Sequence, residues 1–216
     1  IIKNPKNSFL ADPFLFKKEG KNFCFVENFS YVERKGIISV YEIEKNSYNF
    51  IGNAVEEKFH LSFPFVFEDG NDIYMIPESN KNNDIRLYKC LEFPLRWTLG
   101  SILMKNINAV DSIVFFKNDY WWLLTTVVEF DGCDKFSCLH IYYSKDLKSN
   151  NWIPHKKNPI YIDPSKSRNG GIVFEDNKIF RIVQNHKFNQ YGNSMSIYRI
   201  DYIDQFKFNE TFVHKI

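Results

Sequence analysis

Residues 9–16 read FLADPFLF, an apolar strand that carries an acid and a proline, and variants of it return three times along the chain. The other copies are LSFPFVFE at 61–68, AVDSIVFF at 109–116 and RNGGIVFE at 168–175. Their apolar triplets begin at residues 14, 65, 113 and 172, so they are 51, 48 and 59 residues apart. Each copy is followed by turn residues and a second apolar strand, which is the pattern of a β-hairpin.

Further apolar segments complete each repeat. GIISVYEIE and DIRLYKCLE read as third strands, and RWTLGSILM and NWIPHKKNPI read as fourth strands. No segment has helical periodicity over 11 or more residues. Four antiparallel strands that repeat at about 40 to 50 residues are typical of a β-propeller blade. We therefore predict an all-β chain that forms a single β-propeller domain over residues 1–216.

The number of blades follows from the same alignment. Four complete four-stranded blades fit between Asp12 and Ile216. The opening IIKNPK resembles the outer-strand end KKNPI at 156–160, so we expect most of a five-bladed ring whose last blade lies outside this segment. A closed four-bladed ring and a β-sandwich are the alternatives. Because the chain opens without Met, we expect a piece of a longer, multidomain protein.

The composition excludes several classes of protein. Hydrophobic residues make up 44% and charged residues 25%, which is ordinary for a soluble globular protein and unlike a disordered chain. No apolar run approaches the roughly 18 residues of a membrane-spanning helix. The net charge of +2, with both signs interspersed, indicates no nucleic-acid partner.

The sequence predicts neither a metal site nor a cofactor. The four cysteines, at positions 24, 90, 133 and 138, lack the spacing of a zinc site. We expect them to be reduced thiols, which fits a cytoplasmic location. Phosphate-binding loops, G-x-G-x-x-G fingerprints and H-E-x-x-H motifs are also missing.

One position in the repeat carries an acid in two copies and an uncharged residue in the other two. Asp12, Phe63, Asp111 and Gly170 each lie two residues before an apolar triplet, where the innermost strand of a blade borders the central axis. Two carboxylates that converge on one axis repel each other and lose solvent, and such unfavourable arrangements tend to mark functional sites. The alternative is that each acid caps local backbone amides.

Other polar residues occur at the same level of the repeat. His60 precedes the second inner strand, and Arg168 and Asn169 begin the fourth. We predict that Asp12, His60, Asp111, Arg168 and Asn169 open onto one cavity and bind a sugar, because carboxylates and amides bind hydroxyls and aromatic faces stack on sugar rings. Further polar residues follow about eleven residues after the triplets, and spacing does not decide whether they reach the axis: Glu27, Glu78 and Gln184 or Asn185.

The segment YYSKDLKSNNW at 142–152 resembles the third-strand motif of the five-bladed furanosidase-like propellers, which include arabinanases, β-xylosidases and levansucrases. Those enzymes carry an acid on the inner strands of the first and third blades and a general-acid Glu on the fourth. Asp12 and Asp111 match the first two positions. The fourth copy here reads SRNGG without a carboxylate, which argues against ordinary glycoside hydrolysis.

A resemblance over nearly the whole chain is to the N-terminal domain of plant glucosamine inositolphosphorylceramide transferases and their bacterial relatives. The segments that carry it are ADPFLF, HLSFPFVFE, YMIPES, LYKCLEFPLRW, DSIVFF, WWLL, PHKKNPI, SRNGG and QYG. In that family the propeller is fused to a glycosyltransferase domain or, in some bacteria, to formyltransferase-like domains. The resemblance implies glycan or nucleotide-sugar metabolism, with the transfer performed by a fused or associated domain.

Three hypotheses follow. The first is a non-hydrolytic carbohydrate-recognition domain of a glycan-biosynthetic or glycan-modifying protein. The second is a glycoside hydrolase or transglycosidase that uses Asp12 and Asp111 with a relocated acid, Glu78 or Glu27. The third is a platform for protein interactions. The missing acid in the fourth copy favours the first over the second, and the charged axial residues favour either over the third.

Overall fold

The computed structural model describes residues 2–128, 138–187 and 190–216. These residues form two compact units, Ile1–Asn106 and Ile107–Ile216. Each unit contains two antiparallel sheets, and consecutive strands are hydrogen-bonded neighbours except at the outer edge of the third sheet. The assignment of the whole chain to a single domain stays a prediction.

The first unit has one sheet ordered β1 to β4 and one ordered β5 to β8. Its strands are β1 Ser8–Lys18, β2 Lys21–Ser30, β3 Lys35–Ile43, β4 Tyr48–Val55, β5 Ser62–Asp69, β6 Asp72–Glu78, β7 Asp84–Glu92 and β8 Arg96–Lys105. One short 3₁₀ turn, Asn80–Asn82, lies between β6 and β7.

The second unit has one sheet built from β9 to β13 and one ordered β14 to β17. Its strands are β9 Ala109–Lys117, β10 Tyr120–Val127, β11 Cys138–Ser144, β12 Ile153–Pro154, β13 Tyr161–Ile162, β14 Arg168–Glu175, β15 Lys178–Lys187, β16 Gln190–Ile203 and β17 Phe208–Lys215. The prediction of an all-β chain with four propeller blades is confirmed. Whether the ring has a fifth blade stays a prediction.

The outer edge of the third sheet differs from the expected single strand. Two short strands, β12 and β13, pair with β11, and residues 156–159 leave the ladder between them, while the backbone N–H groups of His155 and Ile160 still donate to Ile141 O and Leu139 O. Proline has no N–H for a ladder bond, which disfavours a continuous edge strand through Pro154 and Pro159. The side chain of Asn158 takes the place of a strand: its Nδ2 donates to Ile141 O at 2.7 Å, and its Oδ1 accepts from Ile141 N at 2.9 Å.

The repeated axial position is a backbone irregularity as well as a sequence pattern. The ladder shifts at this point in every inner strand, and Asp12, Phe63 and Asp111 all have positive φ, at 48°, 46° and 52°. A side-chain-bearing residue in this left-handed region costs about 1–2 kcal/mol, and Asp tolerates it better than most. In the fourth inner strand the residue with positive φ is Gly171, at 133°, one place after the aligned Gly170.

The core of the first unit lies between its two sheets. Alternate residues of each strand point to this face, and the buried members are Phe23, Phe25, Ile38, Val40, Val55, Leu61, Met75 and Tyr88. The other face of the first sheet carries a smaller cluster that includes Cys24, whose thiol is free. Burial raises the pKa of Cys24 to about 11, which suits an inert thiol. Cys133 lies outside the described residues.

No helix in the described parts of the chain combines the length and the hydropathy that a membrane crossing requires.

Candidate functional site

Asp12 links the two inner strands of the first unit. Its half-buried carboxylate accepts a hydrogen bond from the backbone N–H of Phe63, with 3.1 Å between Oδ2 and N. Phe63 occupies the equivalent position on β5, and its ring packs edge-on against Phe14 at 4.8 Å. The acid therefore does cap a backbone amide, as the alternative expectation had it, but the amide belongs to the neighbouring sheet.

Glu27 and His60 lie beside this acid. Glu27 is opposite Ala11 in the ladder, one residue before Asp12, and is only 7% exposed. His60 Nε2 is 3.6 Å from Glu27 Oε1, while His60 Nδ1 accepts the backbone N–H of Gly36 at 2.8 Å. Because Nδ1 accepts, the ring proton of neutral His60 resides on Nε2, on the side of Glu27. We call Asp12, Glu27 and His60 the carboxyl cluster.

Glu27 differs electrostatically from an ordinary glutamate. Burial, and then the negative charge of Asp12, raise the pKa of its carboxyl from 4.5 to about 8. At neutral pH most of the Glu27 side chains are therefore protonated and able to donate a hydrogen bond. The carboxyl cluster thus combines a charged acceptor, a neutral acid and an imidazole.

Glu27→Gln should flatten the pH dependence of stability. Between pH 4.5 and about 8 the folded protein holds a proton on Glu27 that the unfolded chain has lost, so stability falls as the pH rises, by up to about 1.4 kcal/mol per pH unit. Urea denaturation at pH 5 and pH 8 should show the variant gaining stability relative to the wild type at the higher pH. Glu92→Gln, whose side chain is 74% exposed, should follow the wild type at both values. Equal pH profiles for all three proteins would contradict the buried, protonated state of Glu27.

Gly36 leaves the space that the carboxyl cluster occupies. A Cβ built there would overlap the carbonyl oxygen of Leu61 and would lie 2.8 Å from His60 Cε1 and 2.9 Å from Glu27 Oε1. The backbone of β3 can therefore approach the cluster this closely only with glycine.

Gly36→Ala should destabilise the protein by about 1–3 kcal/mol, because an overpacked site must shift its backbone or its side chains. The expected result is a lower thermal midpoint together with a changed NMR signal of the His60 ring. The matched control is Gly20→Asn, since Gly20 has open space around it and a φ of 78° that Asn tolerates. If Gly36→Ala lowered the thermal midpoint as little as this control does, the close approach of the β3 backbone to the carboxyl cluster would be contradicted.

The second unit brings together three of the residues predicted from the sequence. Arg168 Nε donates to Asp111 Oδ2, and Gln184 Nε2 donates to the same oxygen at 2.8 Å. Asp111 is 1% exposed and Arg168 is also buried. Asn169 Nδ2 donates to the backbone carbonyl of Asp111 at 2.8 Å. We call Asp111, Arg168, Asn169 and Gln184 the arginine cluster.

Asn169 forms hydrogen bonds through both the nitrogen and the oxygen of its side-chain amide. It is fully buried, and its Nδ2 also reaches the carbonyl of Leu124 at 3.1 Å. Its Oδ1 accepts from Arg181 Nη1 at 3.1 Å. These bonds fix β14 against β9 and so position Asp111. Direct contact between Asn169 and a sugar stays a prediction.

Arg181 is a buried charge that the repeat pattern does not predict. It pairs with Ile172 and so takes the ladder position that Phe25, Ile76 and Leu124 occupy in the other sheets. Its guanidinium is 0% exposed and binds Glu210 through two nitrogens, at 2.9 and 2.6 Å. The signal in the sequence was one arginine inside the apolar run IFRIV at 179–183.

Lys166 adds a second cation to this buried pair. Its Nζ is 3.8 Å from Glu210 Oε1 and lies over the rings of Tyr161 and Tyr198, at 3.9 and 4.8 Å from their centroids. Burial lowers the pKa of Lys166, and burial with the charge of Glu210 raises the pKa of Tyr161. Glu210 therefore balances two cations in a poorly solvated site.

Glu78 occupies on the second sheet the position that Glu27 has on the first. It pairs with Ser62 across the bulge, as Glu27 pairs with Ala11. The contacts within the first unit make Glu27 the acid that lies beside Asp12 and His60. That all five predicted site residues share one cavity stays a prediction. Within residues 2–128, 138–187 and 190–216, no group of three or more His, Cys, Asp or Glu is arranged to hold a metal ion.

The chain matches a family model described as the N-terminal region of glucosamine inositolphosphorylceramide transferase 1, over residues 2–215. The transferase of that name from Oryza sativa subsp. japonica is 34% identical over 209 residues, and the one from Arabidopsis thaliana is 35% identical over 209 residues. Each match covers 94% of this chain but only 28% and 27% of the relatives. The chain thus spans little more than a quarter of their length.

Solved structures of glycoside hydrolases share the fold. An exo-β-1,3-galactanase from Clostridium thermocellum superposes with a TM-score of 0.71 at 14% identity, over 94% of this chain and 49% of the enzyme. An α-L-arabinanase from Cellvibrio cellulosa has a TM-score of 0.68 at 12% identity, over 94% of this chain and 77% of the enzyme. At such low identity the likeness establishes the propeller fold and nothing about chemistry.

Proposed function

Because this chain belongs to the family of N-terminal domains of glucosamine inositolphosphorylceramide transferase 1, we propose that it is a carbohydrate-recognition domain of a glycan-modifying protein. It binds the sugar part of a glycan or nucleotide sugar and does not cleave glycosidic bonds. The prediction of family membership, made from the sequence, is confirmed.

The observation that carries this proposal is the buried pair of Asp111 and Arg168. Glycoside hydrolysis generally needs one carboxyl group as acid and a second as base or nucleophile. The carboxylate of Asp111 is 1% exposed and accepts from both Arg168 and Gln184 through one oxygen. Arg168 itself is a poor proton donor, because its guanidinium stays charged at any working pH. These contacts favour a structural role for Asp111 over a role in bond cleavage, and they leave sugar recognition to the carboxyl cluster of the first unit.

The carboxyl cluster supplies the groups that a sugar requires. Hydroxyl groups both donate and accept hydrogen bonds, so their binding sites need both kinds of partner. Asp12 accepts, protonated Glu27 can do either, and His60 carries its proton on Nε2. A few such polar groups at the end of an apolar blade are typical of small-ligand sites.

The length of the relatives supports a separate location for the transfer reaction, outside the region that this chain matches. This chain spans 28% of the rice transferase. We infer that the transfer reaction takes place on another part of such a protein and that this domain holds or presents a sugar to it. The fused or associated transferase domain is thus the expected partner.

A glycoside hydrolase is the second candidate, and one observation favours it. A general acid needs a carboxyl that is protonated near neutral pH, and the pKa of Glu27 is raised to about 8 by burial and by Asp12. In that case Asp12 would serve as the base and Glu27 as the acid.

Saturation-transfer NMR with a panel of defined sugars tests the proposed function. The panel is galactose, arabinose, glucosamine, their β-1,3-, α-1,5- and β-1,4-linked disaccharides, and UDP-glucosamine. We expect at least one member to bind. Failure of every member to bind at millimolar concentration would overturn the carbohydrate-recognition proposal.

A further inference from the structure

Three aromatic side chains form a continuous surface on the first sheet. Phe9 and Phe29 are direct cross-strand partners with ring centroids 5.0 Å apart. The ring of Tyr31, the first residue after β2, lies 5.8 Å from that of Phe9 and 6.1 Å from that of Phe29, between centroids. Tyr31 is 60% exposed, while the two phenylalanines are partly exposed. We call these three side chains the aromatic triad.

The aromatic triad lies directly outward from the carboxyl cluster. Side chains alternate along a strand, so Glu27, Phe29 and Tyr31 project from one face of the sheet, at steps of about 7 Å. The backbone N–H of Tyr31 donates to Asn7 O at 2.9 Å, which continues the β1–β2 pairing up to this residue. The ring of Phe29 also meets the His60 ring at a centroid distance of 5.8 Å. The two sets of residues thus form one surface.

The exposure of the triad separates it from the hydrophobic core on the same face. Phe25, the preceding aromatic residue of β2 on this face, is fully buried, and so is Leu61. If Phe29 and Tyr31 served only to pack the core, we would expect them to be buried as well. Instead the apolar surface increases in exposure from Phe25 to Tyr31, with a carboxyl group between them.

The charges of the carboxyl cluster favour one kind of ligand. A nucleotide sugar brings a diphosphate, which the charged Asp12 would repel. The nearby ammonium group of Lys35 is already engaged by the Glu57 carbonyl at 2.8 Å and by the carboxylates of Glu56 and Glu33, at 3.4 and 3.7 Å. A neutral glycan carries no negative charge that Asp12 would repel.

We propose that the aromatic triad is an outer subsite of the carbohydrate site, and that the ligand is a neutral oligosaccharide of at least two rings. One ring is held by the carboxyl cluster, and the next stacks its apolar face on Tyr31 and the edges of Phe9 and Phe29. This inference rests on the proposed function, since it extends the same site outward.

The test compares the two uncharged monosaccharides of the panel, galactose and arabinose, with their β-1,3- and α-1,5-linked disaccharides by NMR titration. A disaccharide should bind about tenfold more tightly than its own monosaccharide. Tyr31→Ala should remove that gain and leave monosaccharide affinity within about twofold. Tyr31→Phe should keep the gain, because it keeps the ring, and Val32→Ala should have no effect, because Val32 is a 77% exposed neighbour outside the triad. Thermal unfolding checks that each variant is folded.

Four results would overturn the subsite. Equal affinity for monosaccharides and disaccharides, or an unchanged disaccharide gain in Tyr31→Ala, would remove the subsite while leaving sugar recognition intact. Binding of UDP-glucosamine alone would replace the oligosaccharide by a nucleotide sugar. Failure of all sugars to bind would remove both the subsite and the proposed function.

Discussion

Glu210→Ala is expected to lower the free energy of unfolding by about 3–5 kcal/mol, the range for breaking a buried ion pair by removing one partner. Arg181 is 0% exposed and would keep its charge without the carboxylate that accepts two of its hydrogen bonds. Lys166 would lose its nearby anion as well. Denaturation in urea, followed by fluorescence, measures the loss.

The matched control for this variant lies in the same sheet. Asp201 accepts from Arg199 at 2.6 Å, but the two side chains are 32% and 42% exposed. Because exposed ion pairs contribute about 0–1 kcal/mol to stability, Asp201→Ala should lower the free energy of unfolding by no more than about 1 kcal/mol. The double variant Arg181→Met with Glu210→Leu should recover much of the stability, since it leaves no buried charge unpaired. Equal effects of Glu210→Ala and Asp201→Ala would contradict the buried network.

Asp12→Asn should weaken sugar binding by about 10- to 150-fold, which corresponds to the 1.5–3 kcal/mol of a hydrogen bond to a charged group. Asparagine tolerates the positive φ at this position and still offers an oxygen to the Phe63 amide, so the fold should be kept. NMR titration with the tightest-binding sugar of the panel measures the effect.

Asp176→Asn is the matched control, because Asp176 has the same φ of 48° in an exposed turn. It should bind sugar like the wild type. In Asp12→Asn the pKa of Glu27 should also fall, while burial still keeps it above 4.5. Unchanged affinity in Asp12→Asn would show that the carboxyl cluster is not the binding site.

The fold was predictable because its repeat appears in both the sequence and the backbone. Asp12, Phe63 and Asp111 were aligned by their distance from apolar triplets, and all three have the same left-handed conformation. The outer edge of the third sheet was not predictable from apolar pattern. There the Asn158 side chain makes hydrogen bonds to the backbone of Ile141 that a strand would otherwise make. A side chain in this role produces no periodic pattern in the sequence.

The candidate site was predictable only in part. Position in the repeat pointed to Asp12 and Asp111 but left Glu27 and Glu78 equivalent, because both follow their triplets by the same interval. What distinguishes Glu27 is the neighbouring His60, which is fixed by the amide of Gly36 on a third strand. The partner of Arg181 was equally hidden, since Glu210 lies 29 residues away on the outermost strand.

The claim that this domain binds sugar without cleaving it can be tested by one NMR time course. Wild-type protein is incubated with β-1,3-galactotriose and α-1,5-arabinotriose, and saturation transfer and new reducing-end signals are recorded together. The expected result is saturation transfer that weakens in Asp12→Asn, with no new reducing ends over a day. Release of reducing ends by the wild type that disappears in Glu27→Gln or Glu78→Gln would contradict the account and establish a glycoside hydrolase.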